Sequence, residues 1–384
     1  MSRSADVVVV GGGVVGASAA YHLALGGAGR VLLLEREDRL AAGSTGACAG
    51  GFRCQFSSEA NIRLSLASVP MITGFTQEHG LPLDVVQHGY LFLVRSEALW
   101  RDFFAANELQ RSLGVRADLI SPEEAAALAP GIAVEGLLGA AYGPQDGIAD
   151  PSGLTQGYAT LARRAGAEIE LAAPVSAIRV EGDRVVGIES SDGAVDAPVV
   201  VNAAGPWAAE LARTAGVELP LDPIPRHVVV TGAFAGAPSR RTLVIDAATS
   251  FYFHREGDGV LMGMGSPNER PSFDTTPNDA FVADELLPTA VRVFPPLEEA
   301  PIEHSWVGLY EMTPDRHPII GEAPGMSGLY LANGFSGHGF QHAPVVGKLL
   351  AELIVEGEAK TVDVSGLGLQ RFASGELVRE GHVV

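Results

Sequence analysis

The tightest constraint on this chain lies near its start, in the run ADVVVVGGGVVGASAAYHLALGGAGRVLLLE from Ala5 to Glu35. Ala5–Val10 ends in consecutive valines and reads as a parallel strand buried on both faces. Gly11, Gly12 and Gly13 form a turn, Val14–Leu25 is a helix rich in small residues, and Arg30–Glu35 is a second buried strand. Together they make one βαβ unit, whose crossover is right-handed. Within it, Gly11, Gly13 and Gly16 stand at the spacing GxGxxG. Gly11 permits the tight turn, Gly13 lets the backbone approach a pyrophosphate, and Gly16 lets helix and strand pack closely. The helix N-terminus offers N–H groups and a positive dipole end to phosphate. Glu35 is placed to bind the ribose hydroxyls of an adenosine. The unit therefore predicts a dinucleotide site.

Composition narrows the rest. A length of 384 residues suits two domains, at about 100–200 residues each. The formal net charge of −20 would repel nucleic acid phosphates, which excludes that class of partner. Lys348 and Lys360 are the only lysines, so cationic work in any site falls to arginine. Cys48 and Cys54 show no metal-ligand spacing and cannot form a disulfide framework, so buried or loop thiols and no metal site are expected. Glycines and His22 interrupt the apolar stretch 7–25, so no membrane span is expected there. Met1–Asp6 shows no basic, apolar leader, and a cytoplasmic location is the expectation.

Along the chain, helices are expected at Glu59–Phe75, Ser121–Ala129, Asp150–Ala165 and about Ala343–Val355. QHGYLFLV within Leu81–Arg95 reads as a strand of a different, mixed sheet. Glu168–Leu171, Pro174–Glu181, Arg184–Ser190, Val199–Ala203 and Leu329–Leu331 read as further strands. His227–Val307 is strand-rich and suggests an alternating antiparallel sheet. The expected fold class is α/β with an α+β substrate domain: a Rossmann-like domain at 1–80, 140–220 and 305–384, and an inserted antiparallel-sheet domain at 81–139 and 221–304.

Two loops carry further chemistry. Gly43-Ser44-Thr45-Gly46 offers hydroxyls and glycine N–H groups that could hold a diphosphate from its other side; a plain loop is the alternative. Asn333-Gly-Phe-Ser-Gly-His-Gly-Phe-Gln341 precedes a helix, so its N–H groups can point at an anion, although His338 alone could be structural.

The stretches VVVVGGGVVGASAAYHL, GSTGACAGGFR, VNAAGPWA, WVGLYEMTPDRHPIIG and NGFSGHGFQHAPVVG resemble, in order and over essentially the whole chain, the D-amino acid oxidase superfamily. They are most similar to its sarcosine oxidase branch, of the β-subunit type that includes proline and dimethylglycine dehydrogenases. The resemblance implies an FAD-binding domain roofed by an antiparallel sheet. It also implies oxidation of a small amino acid or N-methylated amino acid to the imine, by hydride transfer to flavin. Sarcosine, dimethylglycine, glycine, proline and D-amino acids all fit it.

By position, the resemblance places Gly11, Gly13, Val14, Val15, Gly16, Glu35, Arg36, Ser44, Thr45, Gly50, Gly51, Val175, Ala204, Gly205 and Trp207 on FAD. Gly337, His338, Gly339, Phe340 and Gln341 would surround the ring's pyrimidine end. Arg53, Tyr252, His254, Tyr310 and Gln341 would be the catalytic set, with Arg53 or, in reserve, Arg226, Arg255 or Arg316 gripping a substrate carboxylate.

Two departures from that branch stand out. Gly308 occupies the position of the cysteine that attaches flavin in the monomeric enzymes, so non-covalent FAD is expected. Leu261 and Gln341 occupy the positions of its two lysines, which shifts the expectation towards an electron acceptor other than oxygen and leaves oxidase and dehydrogenase both open. An FAD-binding, non-catalytic subunit of a larger complex is the alternative reading, and an oligomer or complex is compatible with either.

Overall fold

The computed structural model describes residues 3–266, 268–375 and 377–382. One body is built on a six-stranded sheet in the order Glu168–Glu170, Val31–Leu34, Val7–Val10, Val199–Asn202, Leu329–Asn333, Ile319–Glu322. Its strands are parallel except the last, Ile319–Glu322, which runs antiparallel to its neighbour. The four valines of Val7–Val10 are all buried. Val7 and Val9 meet the helices Val14–Leu25, Pro151–Arg164 and Gly339–Ala351, whereas Val8 and Val10 meet a four-stranded sheet and the helix Ala208–Arg213. That two-sided burial explains an unbroken apolar strand, and each fully buried valine contributes roughly 1.5–3 kcal/mol.

The helix Val14–Leu25 is rich in small residues because neighbouring backbones come close. A Cβ on Gly347 of the helix Gly339–Ala351 would lie 2.3 Å from Ser18 Oγ. The helix Pro151–Arg164 starts as expected, with Asp150 accepting from the Ser152 N–H at 2.9 Å. The last long helix begins at Gly339, ahead of the expected Ala343, and the expected helix Glu59–Phe75 divides at Gly74 into Glu59–Thr73 and Phe75–His79.

The second body is built on an eight-stranded sheet. Its order is Ile302–Met312, Asp222–Thr231, Gly259–Met264, Phe251–Glu256, Leu243–Asp246, Tyr90–Val94, Gly139–Gly143, Asp118–Ile120. Within His227–Val307 every pairing is antiparallel, as expected, and Leu243–Asp246 runs parallel to Tyr90–Val94, the strand expected in a mixed sheet. No hairpin joins those two strands, so nothing in the connection forces them to be antiparallel. Gly139–Gly143 and Ile302–Met312, two strands of this sheet, run across the expected boundaries at 139/140 and 304/305.

The strand-rich region also contains an unexpected helical stretch, Asp279–Phe281, Val282–Leu286 and Leu287–Val293. Phe281, Leu286, Ala290 and Val293 bury against Val229, Val244, Phe253 and Met262 on the outer face of the sheet. Side chains alternate along strands, so the opposite face carries Arg226, Val228, Tyr252, Leu261, Gly308 and Tyr310, which share register. This inner face looks towards the first body. Among the described residues, no helix is long and apolar enough to cross a membrane.

Candidate active site

A cavity of about 800 Å³ runs between the two bodies. At one end it is walled by the glycine turn. Gly11 has φ +114°, and a Cβ there would lie 2.3 Å from the Ala203 carbonyl oxygen. A Cβ on Gly16 would lie 1.8 Å from the Gly11 oxygen, so Gly16 serves packing and does not line the cavity. Gly13 faces the space, with only Thr45 Oγ1 within reach of an added Cβ, at 3.1 Å. No side chain caps the helix at Gly13. Thr45 Oγ1 accepts from the Val14 N–H at 3.2 Å, and Val15 also lines this end.

Glu35 ends its strand with the carboxylate folded back. It accepts from the Gly12 N–H at 2.6 Å and from the Glu37 N–H at 2.9 Å. Each oxygen keeps a lone pair for a ligand hydroxyl. Val175, Ala204, Gly205 and Trp207 line the same end, and the Arg36 guanidinium lies 3.6 Å from the Trp207 ring centroid. The Ser44 hydroxyl donates to the Leu309 carbonyl at 2.7 Å, which ties the loop to the roof.

At the other end the sheet supplies the roof. Tyr90, Tyr252, Tyr310 and Arg226 line it, with the Arg226 guanidinium 5.0 Å from the Tyr310 ring and ion-paired to Glu269. Burial, with neighbouring tyrosines adding, holds the Tyr252 hydroxyl well above its ordinary pKa; burial raises Tyr310 as well. His254 lies outside the cavity lining, its ring nitrogens facing the Arg255 carbonyl at 2.8 Å and the Ala49 carbonyl at 3.2 Å. Gly50 also lies outside it: a Cβ there would meet the Ala149 oxygen at 2.3 Å, whereas Gly51 is part of the wall. Arg255 and Arg316 are not among the lining residues.

Arg53 is 4% exposed and lines the cavity. Its guanidinium stacks 3.9 Å over Phe56 and donates to the carbonyls of Gln55 and His382. Among the described residues no carboxylate is within ion-pair distance of it. Gln341 clamps the same backbone, accepting from the Arg53 N–H at 3.0 Å and donating to its carbonyl at 3.1 Å. Gly337, His338, Gly339 and Phe340 complete this wall. Neither ring nitrogen of buried His338 has a partner among the described residues. A ligand in the cavity would satisfy it.

Three side chains here escaped sequence reasoning. Tyr90 is in the roof through strand register alone. Glu311 lines the cavity, and burial pushes its carboxyl up to about 7 although it accepts from the Phe335 N–H at 3.3 Å. Asp146 lies just behind Arg53. Its carboxylate accepts from the Cys54 N–H at 2.9 Å and from Gln55 Nε2 at 3.1 Å, and burial again brings it to about 7. Tyr90 and Asp146 lie outside the stretches that carry the resemblance, and Glu311, although inside WVGLYEMTPDRHPIIG, is not singled out by it, because the places of all three depend on contacts distant in sequence. Cys48 lines the cavity with its thiol pushed up to about 11 by burial, while Lys348 and Lys360 lie elsewhere.

Comparison with known proteins agrees with this geometry. Sarcosine dehydrogenase of Homo sapiens mitochondria is 32% identical over 97% of this chain, which spans 42% of that protein's length. The crystal structure of L-proline dehydrogenase from P. horikoshii superposes with a TM-score of 0.90 at 33% identity, covering 98% of this chain and 100% of the other. Glycine oxidase from Geobacillus kaustophilus gives 0.86 at 28% identity, covering 96% and 99%. The family model described as FAD dependent oxidoreductase matches residues 6–353. With a glycine cradle, the Glu35 carboxylate and an unpartnered histidine all facing one cavity, and the family model matched over residues 6–353, the chain belongs to this family of FAD dependent oxidoreductases.

Proposed function

We propose that the chain oxidises a small amino acid or N-methylated amino acid of the sarcosine, dimethylglycine, glycine, proline or D-amino acid type. FAD bound in the cavity would accept the two electrons lost from the C–N unit, and water would hydrolyse the resulting imine. Gly11, Gly13, Val14, Val15, Glu35, Arg36, Thr45, Val175, Ala204, Gly205 and Trp207 would hold its ADP half in the first body. Gly51, Gly337, His338, Gly339 and Phe340 would hold the ring under the sheet. Gly16 and Gly50 act through packing in this reading, and Ser44, which lines the cavity, acts through its bond to the Leu309 carbonyl.

One observation carries the substrate assignment. Of the cations lining the cavity, Arg36 lies at the nucleotide end and Arg226 already faces Glu269, whereas Arg53 is buried without a carboxylate partner. A buried cation is stable when paired, and a substrate carboxylate supplies the pair. Tyr252 and Tyr310 would enclose the amine from the roof. Gln341 and His254 act as positioning residues, since Gln341 clamps Arg53 and His254 faces the Ala49 carbonyl beside the cavity. Anaerobic bleaching of bound flavin by a panel of N-methyl, D- and cyclic amino acids tests the activity. If no member bleaches it, a non-catalytic FAD-binding subunit becomes the better account.

FAD is held non-covalently in this reading. Gly308 faces Ala47, and the Cys48 thiol stays protonated and accepts from the Gly50 N–H at 3.3 Å. Acid precipitation should leave the yellow colour in the supernatant; colour in the pellet would contradict it. The cations lining the cavity among the described residues are arginines, without a lysine, and in this reading that favours a carrier other than oxygen over oxygen as the acceptor. Equal turnover with oxygen and with an acceptor dye would overturn that choice.

A further inference from the structure

The C-terminal segment returns to the candidate active site. Glu380 is fully buried, and its carboxylate accepts from the Ser57 N–H and hydroxyl at 2.8 and 2.5 Å. It also accepts from the Ser58 N–H and hydroxyl at 3.1 and 2.6 Å, and from the Asn61 amide at 3.2 Å. Ser58 precedes the first turn of the helix Glu59–Thr73, where a negative charge is favoured. Burial alone would raise this carboxyl, but the donors outweigh it and hold it at about 2, so it stays ionised. Two residues on, the His382 ring stacks on Phe103 with centroids 4.1 Å apart, and the His382 carbonyl accepts from the Arg53 guanidinium.

The Arg53 head is thus aimed by two carbonyls, the near Gln55 and the distant His382, above the Phe56 ring. A guanidinium has five N–H donors, so these two bonds leave donors for a ligand. We infer that Glu380–His382 is a positioning element: Glu380, anchored on Ser57 and Ser58, holds the His382 carbonyl where it directs Arg53 at the substrate carboxylate. This rests on the carboxylate role proposed for Arg53. Glu380 and His382 are not among the residues lining the cavity, so this element acts through the arginine's orientation.

A double-mutant cycle in the flavin-loaded, full-length chain tests it, with Glu380→Ala, Arg53→Met and the pair. Two readouts are taken: KM against kcat for the bleaching substrate, and the Kd of acetate from its perturbation of the flavin absorbance, at matched ionic strength. Glu380→Ala should raise KM and the acetate Kd about tenfold with kcat within about twofold, as for loosening a charge-assisted bond without deleting it. In the Arg53→Met background it should add nothing. Unchanged KM and Kd in folded Glu380→Ala, or an equal loss in both backgrounds, would overturn the inference. If Arg53→Met itself changes neither readout, the carboxylate reading has failed instead. Should Glu380→Ala not yield folded flavoprotein, Phe103→Leu removes only the ring under His382. A smaller rise in KM that disappears in the Arg53→Met background supports the inference, and no rise overturns it.

Discussion

The two ends of the cavity are built by different means. At the nucleotide end, backbone does the work: the positive φ of Gly11, the open Gly13, and the Gly12 and Glu37 N–H groups that orient Glu35. At the ring end, side chains do it: Tyr90, Tyr252, Tyr310, Arg226 and Arg53 project from strands and a loop that lie far apart in sequence. A backbone cradle accepts very few substitutions and recognises what every member of such a family shares. A side-chain roof can change one residue at a time. Changes at the first end should therefore remove the cofactor or the fold, and changes at the second should alter substrate use while the flavin stays bound.

The largest effect should come from Gly16→Val. Its first carbon would lie 1.8 Å from the Gly11 oxygen, so destabilisation of about 3 kcal/mol or more is expected from overpacking of backbone on backbone. The ratio of flavin to protein absorbance and the Tm both report it, and a normally coloured, stable variant would break the contrast. Next comes Arg53→Met, which should raise KM roughly 10–100-fold while flavin content stays normal. Loss of FAD from this variant would place Arg53 at the wrong end.

The ring end should also titrate. Asp146 has its folded pKa raised to about 7. The native state therefore holds a proton that the unfolded chain has already released above about pH 4. Its contribution is complete below that pH and is lost as pH rises through 7. The contribution of Asp146 should fall by about 2 kcal/mol between pH 5 and 7, so the stability of Asp146→Asn relative to the parent should rise by that amount across the range, whatever slope the buried histidines impose on both. Denaturant melts of both across that range decide it; an unaltered difference would remove Asp146 from the account. The smallest effects sharpen the comparison. Tyr310→Phe should lower kcat/KM about 2–10-fold without changing FAD affinity. Trp207→Ala, which removes the ring beneath Arg36, should weaken FAD about 2–5-fold with KM unchanged.

The same contrast decides what could be read from sequence. The βαβ unit was legible because its signals are local: a valine run, glycines at fixed spacing, and an acidic residue at the next strand's end. The helix start at Asp150-Pro151 was legible for the same reason. The helical stretch Asp279–Val293 was missed because its apolar residues sit among strand-like neighbours, and only its packing under the sheet reveals it. The parallel seam between Tyr90–Val94 and Leu243–Asp246 joins segments about 150 residues apart in the numbering, which no local pattern records. In the site, Arg53 was named from the resemblance carried by GSTGACAGGFR, and it stands in the cavity wall. Glu311, Asp146 and Glu380 are single carboxylates whose surroundings come from other elements. Their meaning lies in burial and partners, and neither is written beside them.

The eight-stranded sheet has one more implication, in its alternating faces. Along Phe251–Glu256, Phe251 and Phe253 pack against the helical cover while Tyr252 faces the cavity. Along Gly259–Met264, Val260 and Met262 do the former, and Leu261 and Gly263 lie on the other face. Pressure to keep the protein folded and pressure to change what it accepts thus fall on alternate positions of the same strands. A lineage can revise its diet on one parity while the other stays constant, and only an insertion or deletion within a strand would force the two histories to mix.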